Sequence, residues 1–263
     1  MTSPGKLAGK VAIVTGGGGS IGGAISRAFA REGARVAVFD IDRKAARRVA
    51  DGIVKAGGDA LAVPVDVADV ASVESAVSAT VGHFGKLHIL VNGAAARPSL
   101  HGTVVEQSLE DWNLMLAINL TGPFLMSKYA IPHLRKVKGA SIVNIASQQG
   151  HMGTPDRAAY CATKAALIHL TRIMAMDHAK DGIRVNSISP GAIDTANAAQ
   201  TYGSRARSRD LRGHLYLMGR IGRTDEVAAG AVFLASDECE FMNAADLLID
   251  GGYVAFKGPW PKA

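Results

Sequence analysis

The 263-residue chain is 48% hydrophobic and 20% charged, a balance that fits one large α/β unit spanning residues 1–263. No apolar run approaches the roughly 20 residues of a membrane span, and Met1–Lys10 lacks a secretory leader's apolar stretch, so the expectation is a cytoplasmic protein with no membrane partner. The net charge of +6 falls in three short groups, Arg43–Arg48, Arg135–Lys138 and Arg205–Arg223, with no aromatic platform or zinc-finger spacing beside them, so no nucleic-acid partner is expected.

β-Branched runs alternate with helical patterns along the whole chain, the signature of a parallel sheet wrapped by helices. Lys10–Thr15 reads as a buried first strand, Ser20–Arg31 as its helix, and Gly33 as the break before a second strand, Arg35–Phe39. Helix Arg43–Ala56 leads to strand Asp59–Val63. Val70, Val73, Val77 and Val81 then fall three or four apart on one helical face. Strand Leu87–Val91 follows, and Glu110–Lys136 carries a helical pattern interrupted near Gly122-Pro123. Ser141–Ile145 is a strand, Ala158–Lys180 a long helix, Ile183–Ser187 a strand. Thr195–Leu217 is the least regular stretch; Asp225–Ala235 is helical and Ala245–Ile249 the last strand. Six or seven strands with intervening helices make a doubly wound sheet, whose ligands bind at the carboxyl ends of the strands where the order switches. Cys161 and Cys239 are too few and too isolated for a disulfide framework or a metal cluster, and no metal is expected.

The chemistry-bearing residues fall at those strand ends. Thr15–Gly22, TGGGGSIG, lies between the first strand and its helix, where glycines turn tightly and bring backbone N–H groups to a pyrophosphate. Asp40 ends the second strand; a carboxylate there accepts both ribose hydroxyls of an adenosine and repels a 2′-phosphate. NAD is therefore the expected cofactor, with Arg43 the one nearby base that argues for NADP.

The chain resembles the short-chain dehydrogenase/reductase family from Lys10 to about Ala255. The resemblance rests on the glycine turn, Asp66-Val67 after the third strand, and Asn92-Gly93-Ala94-Ala95 after the fourth. It continues with Ile118-Asn119-Leu120, Ser147, Tyr160-Cys161-Ala162-Thr163-Lys164 thirteen residues later, Pro190-Gly191 and Thr195. It implies a Rossmann-type sheet of about seven strands and hydride exchange between a nicotinamide and a secondary alcohol or ketone. By the resemblance Tyr160 is the general acid/base and Lys164, one helical turn on, the cation that acidifies it. Ser147 then steadies the reacting oxygen and Asn119 positions a relay water. The implied cofactor contacts are Gly16, Gly19, Ser20, Ile21, Gly22, Asp40, Asp66, Val67, Asn92, Ala94, Tyr160, Lys164, Pro190, Gly191, Ile193 and Thr195, with Asp66 equally able to cap the helix beginning near Asp69.

The chain departs from the family pattern in four places. Ser20 replaces a glycine, Gly93-Ala94-Ala95 an Asn-Ala-Gly, Ala146 a serine, and Asn243-Ala244-Ala245 a Thr-Gly. For substrate, Arg97, Gln148, His151 and Tyr202 are candidates, and the arginines between 205 and 223 suit an anionic or polyhydroxylated molecule. The resemblance also implies a homotetramer built on helices near Trp112–Lys136 and Ala158–Lys180. An NADPH-dependent reductase and an NAD-binding redox sensor without turnover are the rival readings.

Overall fold

The computed structural model describes residues 5–96 and 102–255, without the side chains of 197, 199 and 200; the expectation for Arg97 lies outside them. Its strands are β1 (Val11–Thr15), β2 (Arg35–Asp40), β3 (Ala60–Pro64), β4 (Ile89–Asn92), β5 (Ala140–Ile145), β6 (Ile183–Pro190) and β7 (Asp246–Ile249). They form one parallel sheet in the order β3-β2-β1-β4-β5-β6-β7. The order reverses between β1 and β4, which opens a crevice at their carboxyl ends.

Side-chain alternation sorts the strands between two cores. Ala12, Val14, Val36, Val38, Ile89, Val91, Val143 and Ile188 face α1 (Ser20–Arg31), α2 (Arg43–Lys55) and α9 (Thr224–Ala235). Val11, Ile13, Ala37, Phe39, Leu90, Ile142 and Val185 face α3 (Val70–Phe84), α5 (Gly122–Leu134) and α6 (Ala158–His178). Because both faces are covered, the strands read as continuous apolar runs.

The break expected near Gly122-Pro123 is a single π-helical turn, Ala117–Thr121, joining α4 (Leu109–Leu116) to α5. Together they form the run Leu109–Leu134, which by length and composition is apolar enough to cross a bilayer, contrary to expectation. Half of its apolar window is buried, against α3 and α6. The irregular stretch after β6 contains two short helices, α7 (Ala196–Tyr202) and α8 (Arg205–Gly213).

Two local features carry measurable stability. His88 is buried just before β4, and its Nδ1 accepts the Val11 N–H at 3.0 Å. Burial, with the charges of Lys86, Lys10 and Arg35, pushes its pKa from 6.5 down to about 4. Between those values the unfolded chain binds a proton that the folded chain refuses, so stability falls as the pH is lowered across that window. The gap is worth about 3 kcal/mol once fully crossed. Denaturant unfolding followed from neutral pH to pH 4 should register this loss, and His88→Gln should flatten it.

The second is Ala244, which holds φ +60°, the left-handed region, in the stretch where the family pattern has Thr-Gly. Asn243 compensates: its Oδ1 accepts both the Val185 and Ala244 N–H groups, at 2.8 and 3.1 Å. Ala244→Gly should relieve the Cβ conflict and raise stability by up to about 1 kcal/mol, read as a rise of a few degrees in Tm.

Candidate active site

The glycine turn is shaped by close approach. Gly16 has φ +64°, and a Cβ there would stand 2.7 Å from the Gly93 carbonyl oxygen; one on Gly22 would stand 2.2 Å from that of Gly16. Thr15 ties the two strand ends together, its Oγ1 accepting the Gly93 and Ala94 N–H groups at 3.0 and 3.1 Å. Gly19 is different, since a Cβ on it would meet only the Gly16 carbonyl, at 3.2 Å. Among the described residues no side chain caps α1, which begins just after Gly19, so its first-turn donors suit an anion. A dinucleotide pyrophosphate fits this cradle.

Asp40 ends β2 with one carboxylate oxygen on the Gly18 N–H at 2.9 Å and the other on the Asp42 N–H at 3.0 Å. These bonds fix the carboxylate beside the turn, half-buried and with lone pairs to spare for hydroxyl donors. Asp66 does not cap α3. Asp69 does, through the Ser72 N–H at 2.6 Å, while Asp66 closes a turn onto the Ala68 N–H and stays exposed. Val67 is buried over Gly122.

Asn92 corrects an expectation. Its side chain is turned into the sheet, where Nδ2 donates to Asn144 Oδ1 at 2.8 Å; Asn144 in turn donates to Thr171 Oγ1 at 2.8 Å. A ribose contact from this segment falls to the backbone of 92–94 and to Ala94. Ser20 also has a different partner from phosphate: its Oγ accepts the Ala196 N–H at 3.3 Å, joining the glycine turn to α7. Thr195 caps α7 through the Ala198 N–H at 3.2 Å. Pro190 ends β6, Gly191 follows it, and Ile193 is buried in a backbone bridge with Gly222.

On the other side of the crevice Ser147 follows β5, and α6 carries Tyr160 and Lys164 on one face. The Ser147 hydroxyl stands beside the Tyr160 phenol and favours its ionised form. Burial pushes the phenol's pKa up; Ser147 and the charge of Arg157 pull it down. Lys164 is buried, donates to the Ile145 carbonyl at 2.8 Å, and lies 5.8 Å from the centre of the Tyr160 ring. Desolvation lowers its pKa to about 8. Asn119, in the π turn, is fully buried, with its Oδ1 on the Ala96 N–H at 2.8 Å and its Nδ2 on Thr163 Oγ1 at 3.3 Å. Arg157 was not among the sequence candidates; its position one helical turn before Tyr160 is the signal that could have found it.

The glycine turn, Asp40 and Ser147 follow or end β1, β2 and β5 at the carboxyl edge of the sheet, and Tyr160 of α6 stands beside Ser147. A family described as Enoyl-(Acyl carrier protein) reductase matches residues 16–254. The chain is 41% identical over 249 residues to 2,5-dichloro-2,5-cyclohexadiene-1,4-diol dehydrogenase LinX of Sphingobium indicum, covering 94% of this chain and 97% of that one. It is 39% identical to meso-2,3-butanediol dehydrogenase of Serratia marcescens, over 95% and 96% of the two chains. A solved short-chain dehydrogenase/reductase of Serratia marcescens superposes with a TM-score of 0.87 at 36% identity, covering 95% of this chain and 99% of that one. The chain belongs to the short-chain dehydrogenase/reductase family. It is an oxidoreductase of secondary alcohols, and dehydrogenases of this family work with nicotinamide cofactors.

Within this short-chain fold the substrate candidates fare differently from the catalytic ones. His151 is committed to Asp246 at 2.6 Å, and Gln148 is buried with its Nε2 on the Tyr216 hydroxyl at 3.3 Å. Tyr202 lies under the Arg212 guanidinium, 4.7 Å from its ring centre. The arginines are largely paired: Arg205 with Asp194 at 2.7 Å, Arg212 with Ser208 at 2.5 Å, Arg220 with Glu226 at 2.6 Å and Arg223 with Asp225 at 3.0 Å. Among the described residues no group of three or more His, Cys, Asp or Glu side chains could hold a metal ion.

Proposed function

We propose that the protein is an NAD-dependent dehydrogenase of a small, uncharged diol or polyol, working as one unit over residues 1–263 with 192–220 as its substrate loop. The observation that carries the reading is the meeting of the Ser147 hydroxyl with the Tyr160 phenol at the carboxyl edge of the sheet, with Lys164 buried behind them. In oxidation the Tyr160 oxygen takes the substrate's hydroxyl proton while Ser147 donates a hydrogen bond to the same substrate oxygen. Arg157 supplies positive charge that favours the phenolate, and the Lys164 ammonium, 5.8 Å from the ring centre, is the second nearby cation. NAD, when bound, supplies the hydride acceptor. The chain's part is to hold it: Gly19 and the first turn of α1 at the pyrophosphate, Asp40 at the adenosine ribose, Gly191 and Thr195 toward the nicotinamide.

Three observations support the finer points. Asp40 puts a carboxylate where a 2′-phosphate would be repelled, which favours NAD. The pairing of Arg205, Arg220 and Arg223 with acids leaves those side chains poorly placed to hold an anionic substrate. The named relatives act on a butanediol and a cyclohexadienediol.

Assembly as a homotetramer in the cytoplasm belongs to the same reading. Half-exposed Phe124 and Ile173 border an open apolar groove between α5 and α6 that a second copy would cover.

The test is cofactor reduction over a panel of diols, polyols, sugars, hydroxy acids and sulfonated alcohols, with NAD and NADP in parallel and reduction of an enoyl thioester alongside. Turnover of diols with NAD is expected. Preference for NADP, for the sulfonated alcohol or for the enoyl thioester overturns the reading.

A further inference from the structure

Three contacts hold the short turn Gln148–Gly150 that carries Ser147 into the crevice. Gln148 bonds Tyr216. Gly150 lies against α6, where a Cβ would stand 2.9 Å from the Lys164 carbonyl carbon. The third contact runs to the far edge of the sheet: His151, which closes the turn, donates from Nε2 to Oδ2 of Asp246 at 2.6 Å. Asp246 is the first residue of β7, two strands from β5, and its side chain is only 6% exposed. Its other oxygen accepts the hydroxyls of Ser187 and Ser189 on β6, the latter at 3.0 Å.

A carboxylate this buried is costly unless every nearby donor is satisfied. Here the donors come from β6 and from the Ser147 turn, so the same anion fastens both. The arrangement is not a nucleophilic triad, because the serines bond the carboxylate and leave the imidazole without a hydroxyl to activate. Nor does it leave His151 available to a substrate. What it does is fix the height of the turn above the sheet, and with it the position of the Ser147 hydroxyl.

We propose that His151 and Asp246 are a positioning pair for the dehydrogenase reaction, holding the Ser147 turn from the edge of the sheet so that the Ser147 hydroxyl meets the Tyr160 phenol. The inference rests on the roles proposed for Ser147 and Tyr160. Its geometric basis is a hydrogen bond between residues 95 positions apart, which links β7 directly to the turn.

The experiment compares wild type with His151→Leu, which removes the donor, and His151→Gln, which keeps one. His151 lies on a surface loop, so both variants should fold; their Tm and NADH affinity serve as controls and should match wild type. The first readout needs no substrate: the titration of Tyr160, taken as the tyrosinate absorbance difference between each protein and its Tyr160→Phe counterpart. His151→Leu should titrate at higher pH than wild type, because the phenolate loses the Ser147 hydrogen bond, and His151→Gln should return toward wild type. The second readout is kcat on the best alcohol of the panel, expected to fall about ten- to a hundredfold in His151→Leu and to recover in His151→Gln. An unchanged Tyr160 titration in His151→Leu, or a loss that His151→Gln does not restore, overturns the proposal. Because the titration is independent of turnover, failure of the pair is told apart from failure of the diol and NAD reading.

Discussion

Tyr160→Phe is expected to lower kcat for alcohol oxidation by about a thousandfold while leaving NADH affinity unchanged. Only one oxygen is removed, and it is the oxygen that Ser147 bonds. The ring remains to pack against the small cluster of Ala96, Met115 and Ala159. The fold has little reason to object, since burial already disfavours the phenolate and leaves the hydroxyl a polar group in a largely apolar setting. Steady-state kinetics on the best diol, with fluorescence titration of NADH, separates the two quantities. A variant that kept more than a tenth of wild-type kcat would show that the proton leaves by another route. The same result would remove the main support for the proposed reaction.

Much of this arrangement was legible from the sequence because it is local. The glycine turn, Asp40 at a strand end, and Tyr160 with Lys164 one turn apart each follow from the period of a single element. Strand boundaries came out within a few residues, since buried parallel strands announce themselves as short β-branched runs. The π turn at Ala117–Thr121 was seen only as an interruption and was placed too late, at Gly122-Pro123. Proline is the visible signal, whereas the turn coincides with a tertiary demand, the burial of Asn119 between Ala96 and Thr163. The partners of two substrate candidates were hidden for a related reason. Gln148 and His151 are polar and close to Ser147, but their partners, Tyr216 and Asp246, lie 68 and 95 residues away. No periodicity carries that information. The pairing of Arg220 and Arg223 is readable from the sequence, because Asp225 and Glu226 stand within six residues of them.

Lys164→Met is the second large effect, and its two consequences have opposite signs. The ammonium is buried, and desolvation holds its pKa near 8 against an ordinary 10.5. Between those values the unfolded chain carries a proton that the folded chain has released, so wild-type stability rises with pH across that window. At neutral pH, below both, the folded state bears the full cost of a buried charge. Methionine removes that cost and keeps most of the volume, but it leaves the Ile145 carbonyl without the 2.8 Å bond it receives from Lys164. The balance should be a stabilisation of about 1–2 kcal/mol at neutral pH, shrinking as the pH rises past 8. Activity should move the other way, falling about a hundredfold, because the phenolate loses a neighbouring cation. For the same reason the pH at which oxidation reaches its plateau should rise. In wild type oxidation should climb with pH as the phenol ionises. Thermal unfolding at neutral and alkaline pH, set beside the pH profile of kcat/KM, checks both halves. A Lys164→Met protein both less stable and normally active would contradict the burial argument and the catalytic one together.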